Sequence, residues 1–307
     1  MRLAILADTH GNLPALEAVL ADAEEQGVDG IVVAGDFCDG PHPLETIHLL
    51  RDLGSWMIRG NREDYILAYD AGDVPDAWRV SDQWASLRHV YHRLDREALD
   101  LVASLPDQGV IAAEGTAPVR VVHGSPGGAS ELLLPDRNPV ALELYRKAGL
   151  LDLAYKRVEL GATLAEVDEP VLICGHSHIA WHQEWDGHLV LNPGSVGFAL
   201  NGDPRAQYAV LTWQKGRWRA QCRAIPYDLA RVRVAFRESG LLAKGGAMAR
   251  ALLLCAETGR NVPGKLVAHF RRLASQAGFD DFFAIPDTVW DQAVTTFAWE
   301  AVAEGRS

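Results

Sequence analysis

The sequence predicts an α/β protein with a helical C-terminal appendage, on three observations. Apolar runs and amphipathic segments alternate from the N-terminus in the order β-α-β-α-β, which implies a parallel or mixed sheet with helices outside it. Five of the apolar runs end in clusters of Asp, His, Asn and Gly. Beyond about Asp228 the strand signal stops and only helical periodicity remains.

The elements follow in order. RLAILAD (2–8) is a short apolar run read as the first strand. LPALEAVLADAEEQG (13–27) has apolar residues at helical spacing and ends on Gly27. GIVVAGD (30–36) is a second buried strand, PLETIHLLRDLG (43–54) a second Gly-terminated helix, and SWMIRGN (55–61) a third strand. Residues 78–104 read as helix, PVRVVHG (118–124) as a strand, and 139–167 as mostly helical. VLICGHSH (171–178) is a strand running into a polar turn, and HLVLNPGSVG (188–197) follows it. Residues 206–228 form a hairpin turning at Lys215-Gly216. Residues 229–304 read as four helices broken by Gly240, by 259–264 and by Gly278 to Pro286. Trp290, Val294, Phe297 and Ala301 are expected on one face of the last helix, a face that must be buried on the rest of the chain or on a second copy. A boundary is expected near 226–228, giving domains 1–227 and 228–307.

Composition narrows the function classes. The 307 residues are 48% hydrophobic, enough for a sizeable core, and the formal net charge is −12. An acidic surface repels phosphate backbones, so broad nucleic-acid and membrane-surface binding is disfavoured. A small anionic substrate remains compatible, because metal ions reverse a local field. Cys38, Cys174, Cys222 and Cys255 form no C-x-x-C pair. They read as reduced thiols of a cytoplasmic protein. No small-residue cleavage site follows the first apolar run, and no run is long enough to span a membrane. GRNVPGKL (259–266) has the spacing of a P-loop but Leu266 where Ser or Thr is needed, so it reads as an interhelical turn.

The strand ends carry the chemistry. They are Asp8-Thr9-His10, Gly35-Asp36, Gly60-Asn61-Arg62-Glu63, His123-Gly124 and Gly175-His176-Ser177-His178. In an open α/β sheet, ligands gather at the carboxyl ends of strands, so these distant residues would share one rim. Alternation along an extended segment would put Asp8 and His10 on one side, and likewise His176 and His178. Taken singly, Asp8 or His10 could cap the next helix, Asp36 could be a turn residue and His123 a core histidine. Asn192 and Ser195 read as a tight turn, with a hydrogen bond to the site as the alternative. Together, three or four imidazoles, two carboxylates and an amide carbonyl suit a pair of first-row divalent ions.

The ordered set D-x-H, G-D, G-N, H-G and G-H-x-H resembles the calcineurin-like metallophosphoesterase family over about residues 1 to 225, most closely its small prokaryotic phosphodiesterase branch. The resemblance implies a four-layer α-β-β-α sandwich. It implies that Asp8, His10 and His178 bind a first metal, that Asn61, His123 and His176 bind a second, and that Asp36 bridges them. Mn, Fe, Zn, Ni and Co all tolerate such ligands. Two ions so held activate water against a phosphate ester, with phosphodiesters the leading substrates. A phosphomonoesterase and a non-catalytic binding module on the same fold are the alternatives. The family motif G-N-H-[DE] is departed from at Arg62, where a histidine usually helps the leaving group. Arginine stays protonated and is a poor proton donor, but it can bind phosphate oxygens. Asp36, Arg62 and Glu63 are the expected catalytic residues, with Glu63 expected to pair with Arg62. The partners expected are a small phosphate ester and, through the C-terminal helices, a second copy of the chain.

Overall fold

A computed structural model describes residues 1–279, 281 and 285–305. The chain begins β1 (Arg2–Leu6), α1 (Leu13–Glu25), β2 (Gly30–Ala34), α2 (Pro43–Asp52), β3 (Trp56–Ile58) and α3 (Asn61–Ala71). It continues through α4 (Asp76–Val80), α5 (Ala85–Tyr91), α6 (Arg96–Ser104), β4 (Gln108–Ile111), β5 (Val119–Val122), β6 (Leu132–Leu134), α7 (Pro139–Lys147), β7 (Arg157–Glu159) and α8 (Leu160–Leu164). Then come β8 (Val171–Ile173), β9 (Ala180–Trp185), β10 (His188–Pro193), β11 (Ala206–Gln214) and β12 (Arg217–Ile225). The helices α9 (Leu229–Glu238), α10 (Leu241–Lys244), α11 (Gly246–Thr258), α12 (Val262–Gln276), α13 (Asp287–Thr296) and α14 (Trp299–Glu304) close it.

The strands form two five-stranded sheets, in the orders β12-β11-β1-β2-β3 and β4-β5-β8-β10-β9. In each, three neighbouring strands run parallel: β1, β2 and β3 in the first, β5, β8 and β10 in the second. Period-two alternation assigns each strand's side chains to two layers. Leu3, Ile5, Val32, Ala34, Val119, Val121, Val171 and Ile173 fill the space between the sheets. Their neighbours Ala4, Leu6 and Val33 face helices α1, α2, α3, α5 and α6. On the second sheet, Val122, Leu172 and Val190 face α7 and the C-terminal helices. The result is the four-layer sandwich with a helical C-terminal region.

Local chemistry explains several boundaries. The Asn12 side chain accepts from the Ala15 amide at the start of α1, and Pro14 occupies the first turn, a position where proline costs no hydrogen bond. The expected helix over 78–104 is broken into α4, a short 3-10 turn, α5 and α6. Asp95 restarts the chain as an N-cap, accepting from the Ala98 amide at 2.8 Å. The expected helical stretch 139–167 instead contains β7, which pairs in parallel with β6.

The C-terminal helices pack on the sandwich. Val232, Phe236, Leu241, Ala249, Cys255 and Ala256 share one buried cluster with Leu172, Ile179 and Val190 of the second sheet's side. A second cluster holds Leu266, Phe270, Trp290, Ala293, Phe297 and Val302. The expected single last helix is two, because α13 stops at Thr296 and Phe297 takes an extended conformation before α14. Trp290 and Phe297 are buried with Val294 beside them, whereas Ala301 lies on the other side of that break. The expected break from Gly278 to Pro286 lies partly outside the described residues. No helix among the described residues is long and apolar enough to cross a membrane.

Candidate metal centre

The parallel strands deliver the expected residues to one rim. Asp8 follows β1, Asp36 follows β2, Asn61 opens α3 after β3, His123 follows β5, and His176 and His178 follow β8. Backbone bonds lock these strand ends together: Asp8 N–H to Gly35 O at 3.1 Å, His10 N–H to Asp36 O at 2.9 Å, and Gly175 N–H to His123 O at 2.6 Å. Ser195 Oγ donates to the Asp8 carbonyl at 2.8 Å, and Asn192 Nδ2 donates to the Gly175 carbonyl at 2.7 Å. These two residues therefore brace the ligand loops as well as forming their own turn.

The way Asp8 and His10 come to share a side differs from the alternation expected of an extended segment. Asp8, His10, Asp36, His176 and His178 have φ of +53°, +45°, +55°, +64° and +57°. Among the described residues, the other non-glycine residues at positive φ are Asp186 and Lys215, both in hairpin turns. The left-handed region costs an L-residue about 1–2 kcal/mol, less for Asp and Asn, whose short side chains bond locally. Five such residues at one rim mark a backbone bent to aim side chains inward. The approach is close enough to require glycine beside it. A Cβ on Gly35 would lie 2.6 Å from Gly60 N, and one on Gly60 would lie 2.2 Å from Asp36 Oδ1.

Two ligand groups result. Asp8, His10 and His178 form one, and Asp36, His123 and His176 the other, with the ligand atoms of each group within 4.8 Å of one another. His178 Nε2 lies 3.2 Å from Asp8 Oδ1 and 3.1 Å from His10 Nε2. His123 Nε2 lies 3.3 Å from Asp36 Oδ2. The groups adjoin: Asp36 Oδ2 is also 3.9 Å from His10 Nε2, and Asp8 Oδ1 is 3.8 Å from His123 Nε2.

These atoms fit divalent cations. Asp8 Oδ1, Asn61 Oδ1, His123 Nε2 and His176 Nε2 are buried without a hydrogen-bond partner. Leaving one such atom unsatisfied costs about 1–3 kcal/mol. The opposite end of each group is tied down. His123 Nδ1 lies 2.7 Å from Ala34 O and His178 Nδ1 lies 2.7 Å from Phe198 O. Donation to those carbonyls leaves Nε2 with its lone pair facing inward. Asp36 Oδ1 accepts from the Arg62 amide at 2.8 Å and Asp8 Oδ2 from the His176 amide at 3.1 Å, so each carboxylate turns its other oxygen to the centre.

The protonation pattern follows from the same charges. Burial works against a charged imidazole at His123, but Asp36 and Asp8 outweigh it and lift the ring to about 10. His178 is raised in the same way beside Asp8. Burial and His178 push His10 down to about 4, and burial and His123 push His176 down to about 4. Burial alone would raise Asp36, yet His123 and His10 hold it well below the usual carboxylate range.

Arg62 and Glu63 do not form the expected pair. Glu63 is fully buried and points behind the centre. It accepts from the amides of Asp36, Phe37, Cys38 and Gly60 at 2.7, 2.8, 2.9 and 2.7 Å. These bonds brace the Asp36 loop against the turn at Gly60. Arg62 instead pairs with Asp39, Nε to Oδ2 at 2.9 Å, and Asp39 Oδ2 also lies 3.8 Å from His10 Nδ1. Burial disfavours the guanidinium charge, but Asp39 and Asp36 more than offset it and raise the pKa above the ordinary arginine value. The sequence alone does not mark Asp39 as a site residue. Its signal was a second carboxylate three residues after Asp36, in a stretch that reads as a turn. His42, at the start of α2, is absent from the lining of the cavity over the centre.

A profile of the calcineurin-like phosphoesterase superfamily domain matches residues 1–216. An uncharacterised protein of Methanocaldococcus jannaschii is 26% identical over 229 residues, covering 68% of this chain and 81% of its own. The crystal structure of a metallophosphoesterase from Sphaerobacter thermophilus superposes with a TM-score of 0.61 at 25% identity, over 84% of this chain and 99% of its own. A hypothetical protein from Pyrococcus horikoshii has a TM-score of 0.64 at 19% identity, over 84% and 98%, and shares the fold.

Proposed function

The chain belongs to the calcineurin-like phosphoesterase superfamily and is a metal-dependent phosphoesterase, and from that premise we propose that two divalent ions act together and that its substrates are phosphodiesters. The observation that carries the two-ion reading is the pair of adjoining ligand groups with buried, unpartnered donor atoms. In this reading Asp8, His10 and His178 would hold one ion and Asn61, His123 and His176 the other, with Asp36 shared between them. When bound, the ions supply Lewis acidity that makes water a nucleophile at neutral pH and offsets phosphate charge. Ala34 O and Phe198 O orient His123 and His178, and the Arg62 and His176 amides orient Asp36 and Asp8.

The diester preference rests on what surrounds the phosphate. Arg62 offers a permanent charge for a phosphate oxygen, but part of that charge is spent on Asp39. A monoanionic diester asks less of it than a monoester dianion. Proton donors are scarce as well. Arg62 is held charged, and burial pushes the Tyr155 hydroxyl in the same cavity up to about 12. Among the described lining residues, every histidine belongs to the ligand set. Esters whose leaving group departs without a proton are therefore favoured. Metal analysis of the loaded chain should give two ions per chain. Bis(p-nitrophenyl) phosphate should be hydrolysed faster than p-nitrophenyl phosphate, which shares its leaving group. One ion per chain, or a faster monoester, overturns the reading.

Proton supply has its own test. General acid help contributes about 10²–10⁴-fold. The rate of the native chain should fall steeply as leaving-group pKa rises, and Arg62→His should flatten that dependence with metals saturating. Equal slopes in the two proteins would show that position 62 does not govern the leaving group.

A further inference from the structure

The cavity over the metal centre is walled by the C-terminal helices. It has a volume of about 320 Å³ and extends from His10, Asp36, Asn61, His176 and His178 to α11, α12 and α13. Met248 and Leu252 of α11, Val267 of α12 and Trp290 of α13 line it, with Leu87 and Leu153 completing the apolar wall. Among the described residues, the arginines in that lining are Arg62 near the centre and Arg271 of α12. Two further groups mark this space as a binding chamber. Gln83 and Ser86 are among the residues lining it, and Gln83 Nε2 and Ser86 Oγ are buried without a hydrogen-bond partner in the protein. A buried donor or hydroxyl is rarely left unmet unless something else fills the role.

We propose, resting on the phosphoesterase reading, that this chamber selects phosphate esters whose organic group is compact, uncharged and mainly apolar, an aryl or branched alkyl group bearing one oxygen that accepts from Gln83 and Ser86. The phosphate lies on the metal floor and beside Arg62. The organic group replaces water against Met248, Leu252, Val267 and Trp290. A second phosphate would lose its hydration against that wall, where Arg271 is the one cation away from the floor among the described lining residues. The volume is at the low end for ligand pockets, which favours one ring over a long chain. The C-terminal helices are thereby specificity elements: the sandwich supplies the chemistry and the helices choose the substrate.

Calorimetric titration of the metal-loaded full-length chain with phosphonates, which bind without turning over, tests this apart from catalysis. Phenylphosphonate is expected to bind at least about tenfold more tightly than methylphosphonate, from the added apolar area. The near-isosteric variants Val267→Thr and Met248→Gln should narrow that ratio by weakening phenylphosphonate more than methylphosphonate. 4-Acetylphenylphosphonate should lose about three- to tenfold on Gln83→Met, the worth of one hydrogen bond, while phenylphosphonate does not. Equal affinities of phenyl- and methylphosphonate for the native chain, or a ratio unmoved in both wall variants, would overturn the proposal. If the preference is present and no phosphate ester is hydrolysed, the ligand class stands and the phosphodiesterase reading fails.

Discussion

Asp36→Ala is expected to lose metal and to lower phosphoester turnover by at least about 10³-fold. The reason is position. Asp36 Oδ2 lies 3.3 Å from His123 Nε2 and 3.9 Å from His10 Nε2, so it faces both ligand groups at once. Residues that merely orient a metal ligand cost about 10–100-fold when replaced, and a shared ligand should cost more. Alanine also sits poorly at φ of +55°, which adds about 1–2 kcal/mol of backbone strain. Asp36→Asn separates the two effects, because asparagine tolerates that region and keeps an acceptor for the Arg62 amide. Both variants should bind fewer than two ions per chain by elemental analysis. Full occupancy in both would rule out the shared-ligand role.

Glu63→Gln is expected to destabilise the metal-free chain by about 3–5 kcal/mol, lowering its melting temperature by on the order of 10 °C. Glu63 receives four backbone amides within 2.9 Å from two strand ends. A glutamine keeps one oxygen for two of them and turns its own N–H groups on the other two. Two buried donors are then orphaned and repelled. A residue acting directly on substrate would leave the melting temperature of the metal-free chain nearly untouched. Thermal unfolding without metal or substrate distinguishes a brace from a catalyst, and an unchanged midpoint would refute the bracing role.

Much of the fold could be read from the residues because its logic is local. Runs such as RLAIL and GIVVA are apolar on both faces, as strands buried between two layers must be, and the Asp, Asn and His that follow them stand out by contrast. Edge strands were harder. AWHQEW and QGVI mix polar and apolar residues, since a strand at a sheet margin has fewer neighbours to satisfy. The start of α3 is hidden by its own motif, because Asn61 and Arg62 are site residues and also form the helix's first turn.

The site was legible as a set of residue types but not as a set of relations. Nothing in Asp8-Thr9-His10 announces left-handed backbone. The four amides that meet Glu63 belong to positions whose side chains are irrelevant to the bond. Asp39 acquires meaning only when Arg62 arrives from another strand end. The chamber wall is the clearest case. Met248, Val267 and Trp290 read as ordinary apolar helix positions, and only the packing of α11, α12 and α13 on the sandwich puts them over the metal centre.

The left-handed residues carry a consequence for how ions are acquired. Their conformation is fixed by backbone bonds between strand ends and by the carbonyls behind His123 and His178, all of them independent of any ion. All of these bonds join protein atoms, so none of them needs an ion as a partner, unlike the contacts of small domains that fold only around their metal. A nest of nitrogen and oxygen donors discriminates weakly among first-row divalent ions. Chain loaded with different first-row ions would then be expected to carry whichever was supplied, which metal analysis checks.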